Sequence, residues 1–395
     1  MHPSTITMSA PENDGYLLVK NGGRRAPFAL RVAVVTLFIF AFMAQLFPAL
    51  AAAIIPGDLI IFRAGDGTAA LTTTAVPAFL DEYSPNAVLV QSIPLPSSGA
   101  SALTATGNAA TEGIISRSQD GSTLIFGGYR KDAGGANPSG DTPATTNRVI
   151  ATVGLNGVVN TSIALTDATG MMRSAASVDG ISSFYVSTST AVRYVGSPGP
   201  AATSTSIDPR NSRQVNLSAN TLFASNGSTS ITTKVQSYGT LPTGTTSAAP
   251  IVTLATSDAV NGFSLFDLSP TIPGADTLYA LSTVENMLRK YVFDGSAWNL
   301  FGSISGASAA NLTGATNGTD VNLYLTSPTG LFAFTDSSGY AGTLSGSLGP
   351  AIATANVNTA FRGIGLIPVP EPSAMVLSAL GLALFSQRRG FVRQT

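Results

Sequence analysis

Leu288-Arg289-Lys290-Tyr291-Val292-Phe293 runs into Asp294-Gly295-Ser296-Ala297, and Trp298-Asn299-Leu300-Phe301 runs back. Two short apolar-aromatic runs flank an Asp-Gly turn, which is the sequence pattern of a β-hairpin. Working outward, the same turn chemistry recurs at Asp66-Gly67, Asp120-Gly121, Asp179-Gly180, Asn226-Gly227 and Asn317-Gly318. Between these turns the apolar residues come in runs of strand length, and no long stretch carries a helical period. The hairpin's predecessor, Thr277-Leu278-Tyr279-Ala280, has four counterparts. They are Thr123-Leu124-Ile125-Phe126, Ser183-Phe184-Tyr185-Val186, Thr221-Leu222-Phe223-Ala224 and Asn322-Leu323-Tyr324-Leu325. From Leu124 through Phe184, Leu222 and Leu278 to Leu323 the steps are 60, 38, 56 and 45 residues. A mean step of about 50 is near that of a four-stranded propeller blade.

The pattern predicts an all-β, six-bladed β-propeller over residues 54–368. Around Leu278, the strands of one blade are Gly262 to Leu268, Thr277 to Leu281, Leu288 to Phe293 and Trp298 to Ile304. Around Leu323 they are Asn311 to Thr313, Asn322 to Leu325, Leu331 to Phe334 and Thr343 to Leu348. Three more blades centre on Leu124, Phe184 and Leu222. The sixth is divided between the ends: Phe361 to Ile367 lacks later strands. Asp58 to Phe62, Val76 to Tyr83 and Ala87 to Ile93 lack an inner one. Joining them closes the ring and removes two bare sheet edges. The alternative is seven blades, reached if the 60-residue step hides a short repeat.

Composition excludes more functions than it names. The 395 residues include 20 Lys+Arg and 21 Asp+Glu, a net charge of −1, and only 10% are charged. There is no Cys, and the single His is His2, so thiol chemistry, a Ser-His-Asp triad and a His-ligated metal have no place in the body. Nucleic acid is not an expected partner, because phosphate binding needs clustered cations. Asp81-Glu82 alternates across a strand and reads as a solvated pair that shares no site. Trp298, the sole Trp, reads as packing between blades rather than as a sugar platform. No catalytic, metal or cofactor residue is singled out.

The two ends read differently. Lys20, Arg24, Arg25 and Arg31 precede an uncharged run from Val32 to Phe47, followed by Pro48 and Ala51-Ala52-Ala53. At about 1.5 Å per residue this run is short for a membrane anchor. With small residues at Ala51 and Ala53, it predicts a signal peptide over residues 1–53, cut after Ala53 by signal peptidase. At the other end, residues 369–395 carry Pro370-Glu371-Pro372, an apolar run from Ser373 to Ser386, and Arg388-Arg389. The prolines keep the tripeptide extended, the run suits a terminal apolar helix, and the arginines form a cytoplasmic stop.

This tail resembles the PEP-CTERM sorting signal of bacterial exported proteins. The resemblance covers only the C-terminal tail and rests on Pro370, Glu371, Pro372, the apolar run, Arg388 and Arg389. It implies processing by exosortase near the Pro-Glu-Pro motif, transient inner-membrane anchoring through the tail, and delivery to the cell envelope or outside. It also implies a setting of exopolysaccharide and other surface proteins as partners. The expected function is therefore a non-enzymatic, surface- or matrix-associated protein whose propeller is a structural or interaction module. The alternatives are a carbohydrate- or peptide-binding propeller, and a lactonase-like propeller hydrolase.

Overall fold

The computed structural model describes residues 52–306 and 308–367. The expected signal peptide up to residue 51, the sorting tail and the expected terminal helices lie outside the described residues.

Six four-stranded antiparallel sheets follow one another along the chain. Blade 2 comprises Ser116–Arg117, Thr123–Tyr129, Arg148–Gly154 and Val159–Leu165. Blade 3 comprises Met172–Ala176, Phe184–Thr188, Val192–Val195 and Thr205–Asp208. Blade 4 comprises Ser212–Ser218, Thr221–Asn226, Thr233–Thr240 and Ala249–Thr253. Blade 5 comprises Val260–Phe266, Thr277–Ser282, Met287–Phe293 and Trp298–Ser305. Blade 6 comprises Asn311–Asn317, Asp320–Thr326, Gly330–Asp336 and Ala353–Thr354. The five repeated apolar-aromatic elements are the second strands of these five blades, where a buried strand packs on both faces.

Blade 1 is the join. Its inner strand is Ala360–Leu366, from the end of the body, and its other three are Leu59–Ala64, Ala78–Tyr83 and Leu89–Pro94. Leu59 faces Leu366 and Ile61 faces Ile364 in an antiparallel register. The protein is thus a six-bladed propeller closed by its own ends. Six apolar clusters fill the six gaps between successive blades. The gap that closes the ring sets Leu331 of blade 6 against Leu59, Ile61, Phe361 and Ile364 of blade 1.

Four expectations need correction. The outer strand of blade 6 is Ala353–Thr354, not Thr343 to Leu348. Leu344 instead crosses to blade 5, donating its N–H to the Phe301 carbonyl at 2.7 Å and burying its side chain between the two blades. Val76 to Tyr83 is not one strand, because Pro77 cannot donate to the ladder. Ala75–Val76 leaves the blade to pair with Ala105–Thr106. Asn226-Gly227 is no left-handed turn: Gly295 of the hairpin sits at φ 96°, but Gly227 keeps a negative φ and its missing side chain makes room for Arg213.

Asp81 and Glu82 do face apart, yet neither is solvated: both are buried. Asp81 takes Arg63 Nε at 2.6 Å and Ser92 Oγ at 2.5 Å, and Arg63 stacks 4.1 Å over Phe79. Glu82 accepts the Ile55 N–H at 2.6 Å and Gln91 Nε2 at 2.5 Å. The N-terminal segment lies over this strand and covers the acid, which the sequence pattern did not convey. Trp298 packs as expected, with its ring 5.5 Å from Phe293 and against the apolar cluster between blades 4 and 5.

Candidate functional site

The six inner strands line the axial channel, and their two ends form its two mouths. At their C-terminal ends lies a cavity of about 850 Å³, reached by five of the six blades. Hydroxyl and amide side chains, among them Gln214, Asn216, Ser264 and Asn322, share its wall about evenly with apolar groups, including the rings of Phe266 and Tyr324. Arg117 is the one charged side chain in that lining. Solvent reaches it, yet protein surrounds it closely enough that burial lowers the pKa of its guanidinium.

A floor of hydrogen bonds closes this cavity from below. Ser116 Oγ of blade 2 donates to the Val215 carbonyl of blade 4 at 2.8 Å, and the Val215 N–H donates to Ser174 Oγ of blade 3 at 2.8 Å. The Phe263 N–H of blade 5 donates to Gln214 Oε1 at 2.7 Å. The two-residue inner strand of blade 2 explains the first contact. Because it is so short, blades 2 and 4 meet in front of blade 3.

Beyond the floor, the N-terminal ends of the inner strands bring together a second polar set: Arg362, Glu112, Arg173, Arg213, Asn261 and Asn311. Backbone bonds fix the level. The Ile114 N–H donates to the Arg173 carbonyl at 3.0 Å, and the Gly363 N–H to the Gly113 carbonyl at 3.1 Å. Asn311 Nδ2 reaches the Arg362 carbonyl at 3.2 Å. In blades 1, 3, 4 and 5 the inner strand is irregular at this level. The shifts fall opposite Arg362-Gly363, at Arg173, at Arg213-Gln214 and at Asn261-Gly262. A bulge takes a residue out of the in-out alternation and re-aims its side chain, which is how an arginine can sit in an otherwise apolar strand.

Glu112 anchors this end. It is almost fully buried, accepts Tyr129 Oη at 2.6 Å and the Thr106 N–H at 2.8 Å, and Tyr129 Oη in turn accepts the Met172 N–H at 3.0 Å. Burial pushes its pKa up to about 7, against the pull of those donors and of Arg362. Burial also lowers Arg362 and Arg213 to about 10. Sequence reading missed these arginines. The signal was the alignment of the inner strands themselves, which sets Phe361-Arg362, Met172-Arg173, Ser212-Arg213 and Val260-Asn261 in one column.

Of the residues expected from sequence, Ala53 is described and exposed, and Ile54 beside it is the first buried side chain. Ala51, Pro370, Glu371, Pro372, Arg388 and Arg389 lie outside the described residues. Among the described residues no helix is long and apolar enough to cross a membrane, and no three acids, histidines or cysteines converge.

Residues 368–389 match the model of the PEP-CTERM protein-sorting motif. This chain carries a PEP-CTERM tail. The match spans Pro370-Glu371-Pro372 and ends at Arg389, so it takes in every residue on which the resemblance rested. A PEP-CTERM tail implies an exported, exosortase-sorted protein of the cell envelope or its surroundings.

No curated protein matches the chain. Among solved structures, a chain of a nidogen/laminin complex is 11% identical at a TM-score of 0.47, covering 79% of this chain and 99% of its own. The periplasmic gluconolactonase of Pseudomonas aeruginosa is 12% identical at 0.46, covering 79% and 100%. A protein from Lactobacillus plantarum is 13% identical at 0.44, covering 76% and 82%. The blade count rests on the chain's own strand pairing.

Proposed function

We propose that the chain is a non-enzymatic, surface- or matrix-associated protein whose propeller is an interaction module, sorted by exosortase through its tail. The observation that carries this reading is the wide mouth: an open cavity of about 850 Å³ whose wall mixes hydroxyl and amide groups with apolar ones, Tyr324 and Phe266 among them, and holds a single charged side chain, Arg117, among the described residues. Such a wall offers hydrogen bonds and ring faces to a saccharide or an extended peptide. It offers no paired acid and base, and among the described residues no converging set of ligands for a metal. Buried acids such as Asp81, paired with Arg63, and Glu112, held by Tyr129 and Thr106, are bound up in structural contacts.

The test is binding of the purified chain to exopolysaccharide from its host, compared with Tyr324→Ala. Loss of an aromatic contact at the mouth should weaken binding about tenfold. Equal binding by the two proteins, or turnover of a lactone or glycoside by the wild type, would overturn the reading.

A further inference from the structure

We propose that the end of the channel at the N-terminal ends of the inner strands is an oxyanion site, in which Arg173, Arg213 and Arg362 hold a carboxylate, sulfate or phosphate group. The site is separate from the wide mouth, on the far side of the hydrogen-bonded floor, so it stands or falls independently of the function proposed above.

The first observation is unpaired charge. Arg173 is 4% exposed and Arg362 3% exposed. Nε and Nη1 of Arg173, Nε of Arg362 and Nε of Arg213 are all buried without a hydrogen-bond partner. Their remaining contacts are few. Arg362 Nη2 donates to the Gly107 carbonyl at 2.6 Å, Arg173 Nη2 lies 3.9 Å from Met171 Sδ, and Arg213 Nη1 lies 3.5 Å from Asn211 Oδ1. A buried guanidinium left in this state is costly, and the usual solution is a carboxylate in a bidentate pair. Elsewhere in this chain that solution is used: Arg63 pairs with Asp81, Arg193 with Asp167 and Arg210 with Asp208. Among the described residues the three arginines of the channel form no ion pair.

The second observation is placement. The three arginines come from inner strands of three different blades, at one level of the channel, each at an irregularity that frees its side chain from the strand's alternation. Glu112, the acid that interacts with Arg362, already accepts Tyr129 Oη and the Thr106 N–H. Its burial favours the neutral form. Asp258, the buried acid at the start of blade 5, is likewise taken up by Ser282 Oγ and the Ala259 and Val284 N–H groups, so among the described residues none of the three guanidinium groups has a carboxylate partner. Guanidinium donors in a planar fork suit an oxyanion with two or three oxygens, and chloride satisfies such a fork poorly.

The test is thermal unfolding of the purified full chain in millimolar sulfate, inorganic phosphate, acetate and glucuronate, each against chloride at matched ionic strength. At these concentrations general salting effects are small, and specific binding raises Tm by linkage. At least one oxyanion should raise Tm by about 3 °C or more. The inorganic arms separate a free ion from the carboxylate of a sugar acid. Arg173→Met and Arg362→Gln should each abolish that rise, while Arg117→Gln, in the wide mouth, should keep it. No oxyanion-specific rise in the wild type would overturn the proposal, since ordered water would then serve the arginines. So would a rise that survives in the two channel variants. Because the wild-type titration is itself decisive, a variant that fails to fold leaves the proposal open to refutation.

Discussion

Glu112 concentrates the chemistry of single residues in this fold. Its carboxyl is tied to Tyr129 and Thr106, with the guanidinium groups of Arg362 and Arg148 as its charged neighbours. Its pKa rises from the usual 4.5 to about 7 because burial disfavours the charged form more than those groups favour it. The folded chain thus binds this proton more tightly than the unfolded chain. The stabilisation is complete below about pH 4.5 and is lost as pH rises through about 7, a change of roughly 3 kcal/mol. Asp58 adds to the same trend at lower pH, its pKa raised by burial and by the neighbouring Glu82. Glu112→Gln mimics the protonated acid, so its stability should stay nearly level from pH 5 to pH 8 while the wild type's falls. Urea unfolding at several pH values measures this, and parallel curves for the two proteins would refute it. None of this was legible in the sequence, where Glu112 was one of few glutamates. Its meaning depends on Tyr129, 17 residues away, and on Arg362, 250 residues away, brought to one end of the channel by the ring.

At the scale of elements, the strand Ala360–Leu366 decides whether the ring exists. Every one of its residues is buried. It pairs with Leu59–Ala64 on one side, and its Phe361 ring packs edge-on to Tyr83 at 6.0 Å. Removing it bares the edge of Leu59–Ala64 and one side of the cluster shared with Leu331. Truncation before Ala360 should therefore yield a body that aggregates, although the cut is at one terminus. A truncated chain that stays monomeric on size exclusion would show that the other strands hold the ring alone. Phe361→Ala is the milder form of the same test and should cost about 3–5 kcal/mol. This strand was readable in advance because the shortage at each end was complementary: three strands without an inner partner, and one inner strand without a blade. The repeated second strands were readable for a related reason, since burial on both faces demands a continuous apolar run such as Thr123-Leu124-Ile125-Phe126. Outer strands were not. Ala353–Thr354 is two residues long and half-exposed, and nothing in its composition separates it from the loop around Leu344, which is the part that is buried.

For the whole molecule, closing the ring with the chain ends also fixes where those ends emerge. The Gly57 N–H donates to the Ile367 carbonyl at 2.8 Å, so the two ends of the described body lie side by side. Both ends lie beside the wide mouth, which Gly57 and Leu366 help to line. Only Pro368 and Val369 separate Ile367 from Pro370-Glu371-Pro372, and at about 3.5 Å per extended residue Glu371 can lie no more than roughly 14 Å from the folded body. A tether this short predicts that the wide mouth is occluded for as long as the tail is held in a membrane. Cutting at the Pro-Glu-Pro motif should then free it, which would link ligand access to sorting. Glu371→Ala, or deletion of Arg388-Arg389, should leave the chain in the inner membrane or cytoplasm, with the tail attached and little binding to external polymer. Wild-type chain should leave the membrane fraction, begin at Ile54, and lose that attachment. Cell fractionation with blotting, in hosts with and without exosortase, reads all of these. Identical fractionation of both variants and the wild type would remove the sorting role of the tail. Full binding by a chain still anchored through residues 368–389 would separate access to the mouth from sorting.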